Sequence, residues 1–282
     1  MGSRIARNLA SQNEIEVWNR TRSTSEEWVA ANGGSVAAGL SQMASDCDVL
    51  ITMLADGEAL VEVYQSPDGL GAGIRPGSLA IDMGTSGPEA FRTVRELVES
   101  RGGTMVDAPV SGATAAAEAA TLLVMVGSSP EVYGEVEPIL AAMGNPIHVG
   151  PTGSATVLKL AVNSVLYGLN QAAAEAIALA EKAGVEPSTT LDVLAKGAAG
   201  APMLSYRREQ YLHPKEAPIS FTVDLARKDL MLTLEQARKT GAPIGQLERT
   251  FELIQELVDQ GHGSEDMGYV VEASRRRSGA VD

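Results

Sequence analysis

GPTGSATVLKLAVNSVLYGLNQAAAEAIALAE, residues 150–181, separates two parts of the chain that differ in hydrophobic periodicity. Residues 156–180 are predicted to form a helix, because apolar residues occur on every side of its helical wheel. A helix of this kind is expected to be buried on every side. Strand and helix patterns alternate before this stretch and only helical spacing follows it, so the fold class changes here.

The part before the stretch, residues 1–150, predicts a doubly wound α/β domain of the Rossmann type, which binds a dinucleotide. Continuous apolar runs separated by helical segments are typical of strands that are buried on both faces of a sheet. Loops are predicted at 65–77 and 109–120. Strands are predicted at 14–19, 35–36, 48–54, 79–83, 104–107, 121–126 and 146–149.

The second part of the chain, residues 151–282, is predicted to form an all-helical substrate and dimerisation domain. A proline stands at or near the start of each helical segment, and glycines follow the last two. The long apolar helix exceeds what one small helical domain can bury, which favours a homodimer or homotetramer. Further helices are predicted at 187–196, 202–211, 222–239 and 243–259.

The composition excludes several functional classes. A formal charge of −14 argues against nucleic-acid binding, and the one basic cluster, Arg275 to Arg277, is expected in a solvated tail. The single cysteine, Cys47, excludes an internal disulfide and suits the reducing cytosol. The three histidines have no metal-ligand spacing, and no window of about 18 apolar residues lacks a charge. We therefore expect a cytoplasmic protein without a metal site or membrane span.

Lys159 is the only charged residue between Ser154 and Ala174. Asn163 lies four residues later, on the same helical face. An ammonium among apolar residues is costly unless it is paired or neutralised, which is the setting of a general acid/base. The alternative is a lysine whose stem packs on the helix while its amine reaches water.

Several motifs occur in a fixed order along nearly the whole chain. They are MGSRIARNL (1–9), VWNRT (17–21), TML (52–54), IDMGT (81–85), DAPVSG (107–112), GPTG (150–153) with Lys159 and Asn163, Phe221 with KDL (228–230), and GHG (261–263) with Asp266. This set resembles the β-hydroxyacid dehydrogenases, among them 3-hydroxyisobutyrate dehydrogenase, tartronate semialdehyde reductase and glyoxylate/succinic semialdehyde reductase. D-x-P-V-S-G followed by the spaced lysine and asparagine is specific, whereas the partial glycine motif alone would be weak.

The resemblance implies hydride transfer between a nicotinamide and a small 3-hydroxy acid or its semialdehyde. Lys159 is implied as the general acid/base, and Asn163 as the catalytic residue that hydrogen-bonds the substrate. The turn from Ser111 through Gly112 to Ala113 is implied to bind the substrate carboxylate. Lys228 is implied to complete the substrate site from the helical domain, while Asp229 is expected to be structural.

The resemblance also implies where the cofactor binds. The implied residues are Gly2, Ser3, Asn19, Arg20, Thr21, Met53, Leu54, Ala55, Thr85, Phe221 and Lys228. Asn19-Arg20-Thr21 has no carboxylate, and none follows before Glu26, which favours NADP over NAD because an arginine suits a ribose 2′-phosphate. Thr85 has a second interpretation as a capping residue before Pro88.

Departures from the family pattern leave alternatives open. Gly2 would be the last glycine of G-x-G-x-x-G, so the first strand and two glycines are missing from this chain. We expect either an upstream start or a fragment that lacks a complete dinucleotide site, and a non-catalytic dimerising relative is a further alternative. An imine reductase-like enzyme shares the architecture but usually replaces the lysine. Val162, where a second asparagine or a histidine is common, argues against phosphogluconate as substrate.

Overall fold

The computed structural model describes residues 1–278. The chain divides into two compact units, Met1–Lys159 and Leu160–Asp282. Residues 279–282, which fall in the predicted helical domain, lie outside the described residues. Among residues 1–278, no helix has both the length and the apolar composition that crossing a bilayer requires.

The first unit alternates strands and helices. Its elements are α1 (Gly2–Leu9), β1 (Glu16–Val17), α2 (Arg22–Asn32), β2 (Ser35–Val36), α3 (Leu40–Asp46), β3 (Val49–Thr52), α4 (Gly57–Gln65), α5 (Leu70–Gly73), β4 (Leu79–Asp82), α6 (Pro88–Ser100), β5 (Thr104–Asp107), β6 (Val110–Ser111), α7 (Thr114–Glu118), β7 (Leu122–Gly127), α8 (Pro130–Ala141) and β8 (Gly144–Gly150). The predicted loops at 65–77 and 109–120 therefore contain short elements, α5 in the first, and β6 and α7 in the second.

The strands form a mixed sheet in the order β3-β4-β5-β7-β6, with β8 also paired to β7. Strands β3, β4 and β5 run parallel, and β7 is antiparallel to β5 but parallel to β8. β1 and β2 form a separate parallel pair. This arrangement agrees with the predicted fold class, a doubly wound α/β sheet of the Rossmann type.

Apolar side chains on both faces explain why these segments form central strands. Leu50, Ala80, Val106 and Val124 are each at most 1% exposed. Helices cover the sheet on two sides, since separate apolar clusters lie around Ile81 and Val106 and around Leu50 and Ala80. The carboxyl ends of the strands are left to polar residues.

The second unit is helical. Its elements are α9 (Ser154–Lys182), whose first turns belong to the first unit, then α10 (Pro187–Lys196), α11 (Pro202–Tyr206), α12 (Arg208–Leu212), α13 (Val223–Thr240), α14 (Gly245–Asp259), the 3₁₀ turn Met267–Tyr269 and α15 (Val270–Ser278). Its core lies around Tyr211, Leu230 and Val271, which are all fully buried.

The expectation that the long helix is buried on every side is wrong for the single chain. Tyr167, Ala174 and Ile177 face the helical core. Val165 and Leu179, on another face of α9, are 71% and 74% exposed. The remaining helices of the unit cover only part of the circumference of α9. The apolar composition of α9 does not indicate which of its faces stays exposed to solvent.

Arg207 interrupts the helix predicted over 202–211. The residue lies between α11 and α12, only 5% exposed, and its guanidinium pairs with Asp266 and donates to Ser220 Oγ at 3.1 Å. A buried guanidinium needs such partners, and meeting them takes its backbone out of helical geometry.

The predicted solvated basic tail is only partly correct, since Arg276 and Arg277 are exposed but Arg275 is buried and all three belong to a helix. Arg275 to Arg277 lie on α15, where Arg275 forms an ion pair with Glu181 at 2.6 Å and Arg277 pairs with Glu256. The carboxylates come from distant positions in the sequence, so composition alone could not identify them as partners.

Candidate functional site

Three polar residues stand side by side where parallel strands β3, β4 and β5 end. The strand register pairs Thr52 with Asp82, and Asp82 with Asp107. In doubly wound folds, ligands bind outside the carboxyl ends of the strands. All three side chains are buried, which requires that hydrogen bonds satisfy them.

Asp82 connects the loops that follow β3 and β4. Its Oδ1 accepts hydrogen bonds from Thr52 Oγ1 at 2.9 Å and from the Gly84 N–H at 3.3 Å, and its Oδ2 accepts one from Ser86 Oγ at 2.7 Å. Burial raises the pKa of the Asp82 carboxyl, although the hydroxyl donors act in the opposite direction. The carboxyl of Asp82, the last residue of β4, therefore holds the loop that follows this strand and contains Thr85.

Several predicted cofactor residues meet at this edge. A Cβ added to Gly2, the first residue of α1, would lie 3.5 Å from Met53 Cβ. A Cβ on Gly84 would lie 3.1 Å from the carbonyl oxygen of Leu54. The start of α1, the Met53 to Ala55 loop and the loop before Thr85 are thus neighbours. Ser3 joins them to α2, because its carbonyl accepts a hydrogen bond from Trp28 Nε1 at 2.9 Å.

The segment proposed to select the cofactor is an exposed loop. Asn19, Arg20 and Thr21 follow β1 and precede α2, and all three are exposed. Asn19 Oδ1 accepts a hydrogen bond from the Thr21 N–H at 3.2 Å, which shapes the turn. The first carboxylate after it, Glu26, is already paired with Arg22 at 2.8 Å.

Thr85 is half-buried and lies three residues before the first residue of α6. The N-cap of α6 is Gly87, which has no side chain, and Pro88 occupies the first helical position. Thr85 therefore does not occupy the N-cap position, which lies two residues after it.

The Ser111 to Ala113 turn lies between β6 and α7. Ser111 is half-buried, and Gly112 is exposed with a φ of +138°, a conformation that side chains disfavour. A Cβ at Gly112 would also lie 2.9 Å from Leu122 Cδ2. The turn consequently needs glycine at this position.

Asp107, four residues before Ser111, attaches this region to the start of α9. Its Oδ1 accepts a hydrogen bond from the Gly153 N–H at 2.7 Å. Its Oδ2 accepts hydrogen bonds from the Thr156 N–H at 2.8 Å and from Thr156 Oγ1 at 3.2 Å. Lys159 follows Thr156 by three residues on the same helical face, and it is half-buried rather than fully buried.

In the second unit, Asp229 joins the other predicted site residues. Its Oδ2 accepts hydrogen bonds from Asn163 Nδ2 at 2.8 Å and from Tyr167 Oη at 2.6 Å. Its Oδ1 forms an ion pair with Lys228 Nζ at 2.9 Å. The rings of Tyr167 and Phe221 lie 6.5 Å apart. Asn163, Lys228 and Phe221 are therefore parts of one network centred on Asp229.

Tyr167 acts in this network as a donor. Burial and the neighbouring Asp229 raise the pKa of Tyr167 well above its usual value, so the phenol stays protonated. An amide has two donor hydrogens and an acceptor oxygen, so one bond to Asp229 orients Asn163 without using its full capacity.

Sequence reasoning missed the roles of Asp107 and Tyr167, and it expected Asp229 to be structural without naming its partners. Asn163 and Tyr167 are four residues apart on one face of a mostly apolar helix, which predicts a shared polar partner. No comparable signal identified Asp229 as that partner, since it lies 66 residues from Asn163.

A doubly wound sheet with loops for a dinucleotide at its carboxyl edge, followed by a helix with a lysine and an oriented asparagine, defines an NAD(P)-dependent oxidoreductase. Residues 1–153 match the family described as the NAD binding domain of 6-phosphogluconate dehydrogenase. Residues 153–274 match the family described as NAD-binding of NADP-dependent 3-hydroxyisobutyrate dehydrogenase. The chain belongs to the β-hydroxyacid dehydrogenase family, which confirms the resemblance and the NAD(P) dependence.

Individual proteins agree with this assignment. NAD-dependent L-serine dehydrogenase of Pseudomonas aeruginosa is 33% identical over 280 residues, 96% of this chain and 93% of the relative. The structure of Mycobacterium tuberculosis 3-hydroxyisobutyrate dehydrogenase with L-serine has a TM-score of 0.82 at 29% identity, covering 98% of this chain and 96% of that one. An imine reductase from a Pseudomonas species, with a TM-score of 0.64 at 21% identity over 97% of this chain and 95% of its own, shows the shared fold alone.

Proposed function

We propose that the protein transfers a hydride between NADP, or NAD, and a small 3-hydroxy acid or its semialdehyde, with Lys159 as the general acid/base. The observation that supports this most is the attachment of Gly153 and Thr156 to Asp107. The same strand end leads into the Ser111 turn and holds the helix that contains Lys159. A carboxylate-binding turn and a proton-transfer group thus share one anchor.

The residues of the first unit suit a dinucleotide. Gly2 begins α1 beside Met53, so a helix N-terminus adjoins the loop at a strand end, as the binding of a pyrophosphate and a nicotinamide ribose requires. We assign Gly2 and Ser3 to the phosphates, Asn19 to Thr21 to the adenosine ribose, and Met53 to Ala55 with Thr85 to the nicotinamide side. The nicotinamide ring supplies or accepts the hydride when the dinucleotide is bound.

The protein groups move the proton and hold the substrate. Lys159 Nζ accepts the hydroxyl proton in oxidation and donates a proton to the carbonyl oxygen in reduction. Asn163, oriented by Asp229, hydrogen-bonds the substrate oxygen. The Ser111 hydroxyl and the backbone N–H groups of Gly112 and Ala113 hold the substrate carboxylate.

Lys228 and Phe221 are assigned to the substrate and cofactor on the same basis. Both belong to the network around Asp229, Lys228 by its ion pair and Phe221 through the Tyr167 ring. We further assign dinucleotide binding to residues 1–150, and substrate binding with dimerisation to residues 151–282. We also propose that the protein is cytoplasmic.

Lys159→Ala tests the mechanism. Loss of the general acid/base is expected to lower the rate of hydride transfer about 10²- to 10⁴-fold. Binding of NADPH, followed by fluorescence titration, should change little. Lys182→Ala, on the last turn of the same helix, is the matched control. Near wild-type turnover of L-serine and other short 3-hydroxy acids by Lys159→Ala would overturn the assignment.

NADP is the preferred dinucleotide because Arg20 is exposed beside a segment without a free carboxylate, Glu26 being paired. Arg20→Ala should raise KM for NADPH about 10- to 100-fold, the value of a charge-assisted hydrogen bond, with little effect on KM for NADH. Equal effects on both cofactors would contradict this preference.

A homodimer is proposed from the open face of α9. Val165, Ala172 and Leu179 are seven residues apart, and all are exposed in the single chain. Such spacing forms an apolar seam that a second copy of the same helix can cover. Val165→Asp should shift sedimentation toward the monomer, whereas Val193→Asp, at a 66% exposed valine on α10, should not. A wild-type monomer at micromolar concentration would overturn this proposal.

A further inference from the structure

Asp107 is a fully buried carboxylate to which the proposed chemistry gives no role. It is the last residue of β5 and is 0% exposed. All three of its hydrogen bonds to Gly153 and Thr156 join residues 46 or 49 positions apart in the chain. A carboxyl that is this buried is costly, because burial raises the pKa of Asp107 by disfavouring the charged form.

These bonds supply the N-terminal cap of α9. The N–H groups in the first turn of a helix have no partner within the helix, and a side-chain oxygen usually accepts from them. Here the oxygens come from a strand of the sheet rather than from the residue before the helix. A negative charge at this position also interacts favourably with the helix dipole. The start of α9 is thereby attached to the end of β5.

A second strand, β7, packs closely against the attachment. A Cβ added to Gly127, the last residue of β7, would overlap Asp107 Oδ1. No real side chain tolerates such a contact, so β7 can approach the carboxylate only with glycine at this position. The longer side chain of glutamate would not fit at position 107 for the same reason.

Asp107 and Asp82 differ in the groups that donate hydrogen bonds to their carboxyl oxygens. Two of the three donors to Asp82 are hydroxyls, of Thr52 and Ser86, and a hydroxyl can rotate to accept instead of donate. An asparagine at 82 could therefore keep its bonds. Asp107 accepts from two backbone N–H groups, which cannot reverse, so an asparagine at 107 would point its amide N–H₂ at one of them.

We infer that Asp107 is a positioning residue, which sets where Lys159 lies relative to the Ser111 turn by fixing the first turn of α9 to the strand end from which that turn begins. The inference rests on the proposed function of Lys159. A positioning residue can affect the rate strongly, because a displacement of about 1 Å between reacting groups lowers the rate roughly 100-fold.

Two variants perturb the attachment from opposite sides. Asp107→Asn removes the charge and leaves one N–H without an acceptor, while Gly127→Ala keeps the charge and displaces the carboxylate. Both should increase hydrogen exchange of the amides at 153–159, measured by mass spectrometry on the full chain, while α8 stays protected. Ser129→Ala removes the ordinary side-chain cap of α8, and is the control for loss of a helix cap elsewhere. Gly134→Ala, where a Cβ meets nothing within 4 Å, is the control for the glycine change.

Kinetics then separate positioning from mere stability. Asp107→Asn and Gly127→Ala should lower kcat roughly 10- to 100-fold with KM for the dinucleotide little changed. Ser129→Ala and Gly134→Ala should leave kcat unchanged. Combined with Lys159→Ala, Asp107→Asn should add no further loss, because the residue acts through Lys159. If Asp107→Asn does not fold, Thr156→Val, which removes one of the three bonds, should give a smaller change in the same direction.

The outcomes also separate this inference from the function on which it rests. If Lys159→Ala is inactive while Asp107→Asn and Gly127→Ala keep wild-type kcat, the positioning role is refuted and the proposed function stands. If Lys159→Ala is fully active, the proposed function fails, whatever the exchange data show. Unchanged exchange at 153–159 in both variants would refute the attachment itself.

Discussion

Asp229 offers the most direct test of the network in the helical unit. Its carboxylate is 2% exposed and interacts with Asn163, Tyr167 and Lys228. Three substitutions remove different parts of these interactions. Asp229→Leu removes every acceptor, Asp229→Asn keeps one acceptor oxygen but removes the charge, and Tyr167→Phe removes a single donor.

The contacts fix the expected order of destabilisation. Asp229→Leu leaves Asn163 Nδ2 and Tyr167 Oη buried without an acceptor, at about 1–3 kcal/mol each, so about 2–6 kcal/mol in total. The Lys228 side chain is 22% exposed and its ammonium can reach water, so loss of that ion pair adds no more than about 1 kcal/mol. Asp229→Asn should cost about 1–2 kcal/mol. Tyr167→Phe should cost about 1 kcal/mol.

Urea unfolding followed by circular dichroism at fixed protein concentration measures these differences. Asp259→Asn, an exposed carboxylate on α14, is the control and should stay within about 0.5 kcal/mol of wild type. Turnover provides the second measurement, since Asp229→Leu should also disorder Asn163 and lower kcat. The reasoning is refuted if Asp229→Leu is no more destabilising than Tyr167→Phe.

Three further predictions follow from other contacts. Because burial raises the pKa of Asp82, the folded state keeps its proton to a higher pH than the unfolded state, and this contribution to the unfolding free energy is lost as pH rises from about 4. Asp82→Asn should therefore gain stability relative to wild type between pH 4 and 7 in thermal unfolding, and a pH-independent difference would contradict this. Asp266→Asn should weaken the bonds to Arg207 and to the Phe221 N–H at 3.2 Å. The free energy of unfolding in urea should fall by about 3–5 kcal/mol, and a fall of less than about 1 kcal/mol would contradict this prediction. Gly73→Ala would place a Cβ against a carbonyl oxygen of α3 and should lower stability by about 1–3 kcal/mol, whereas Gly39→Ala, in open space, should not.

The class of each half of the chain could be predicted from its sequence, because hydrophobic periodicity records which faces of an element are buried. The bounds of β2, β5 and α10 are the predicted ones, and most others differ by one to three residues. The short elements α5, β6 and α7 were missed because they have too few residues to show a period. The charge pattern of the long helix singled out Lys159 and Asn163, whereas the other proposed site residues could be found only through motifs, since their spacing along the chain is irregular.

Only the tertiary structure decided how these residues are held. Asp107 accepts from Thr156 and Asp229 accepts from Asn163 across separations of 49 and 66 residues. The ion-pair partners of Arg207 and Arg275 are 59 and 94 positions away. A local pattern reports the burial of a side chain but not the identity of the group that satisfies it, because that group is set by strand register and helix packing. For the same reason, the sequence predicted an apolar α9, and the structure alone showed which face of it remains open.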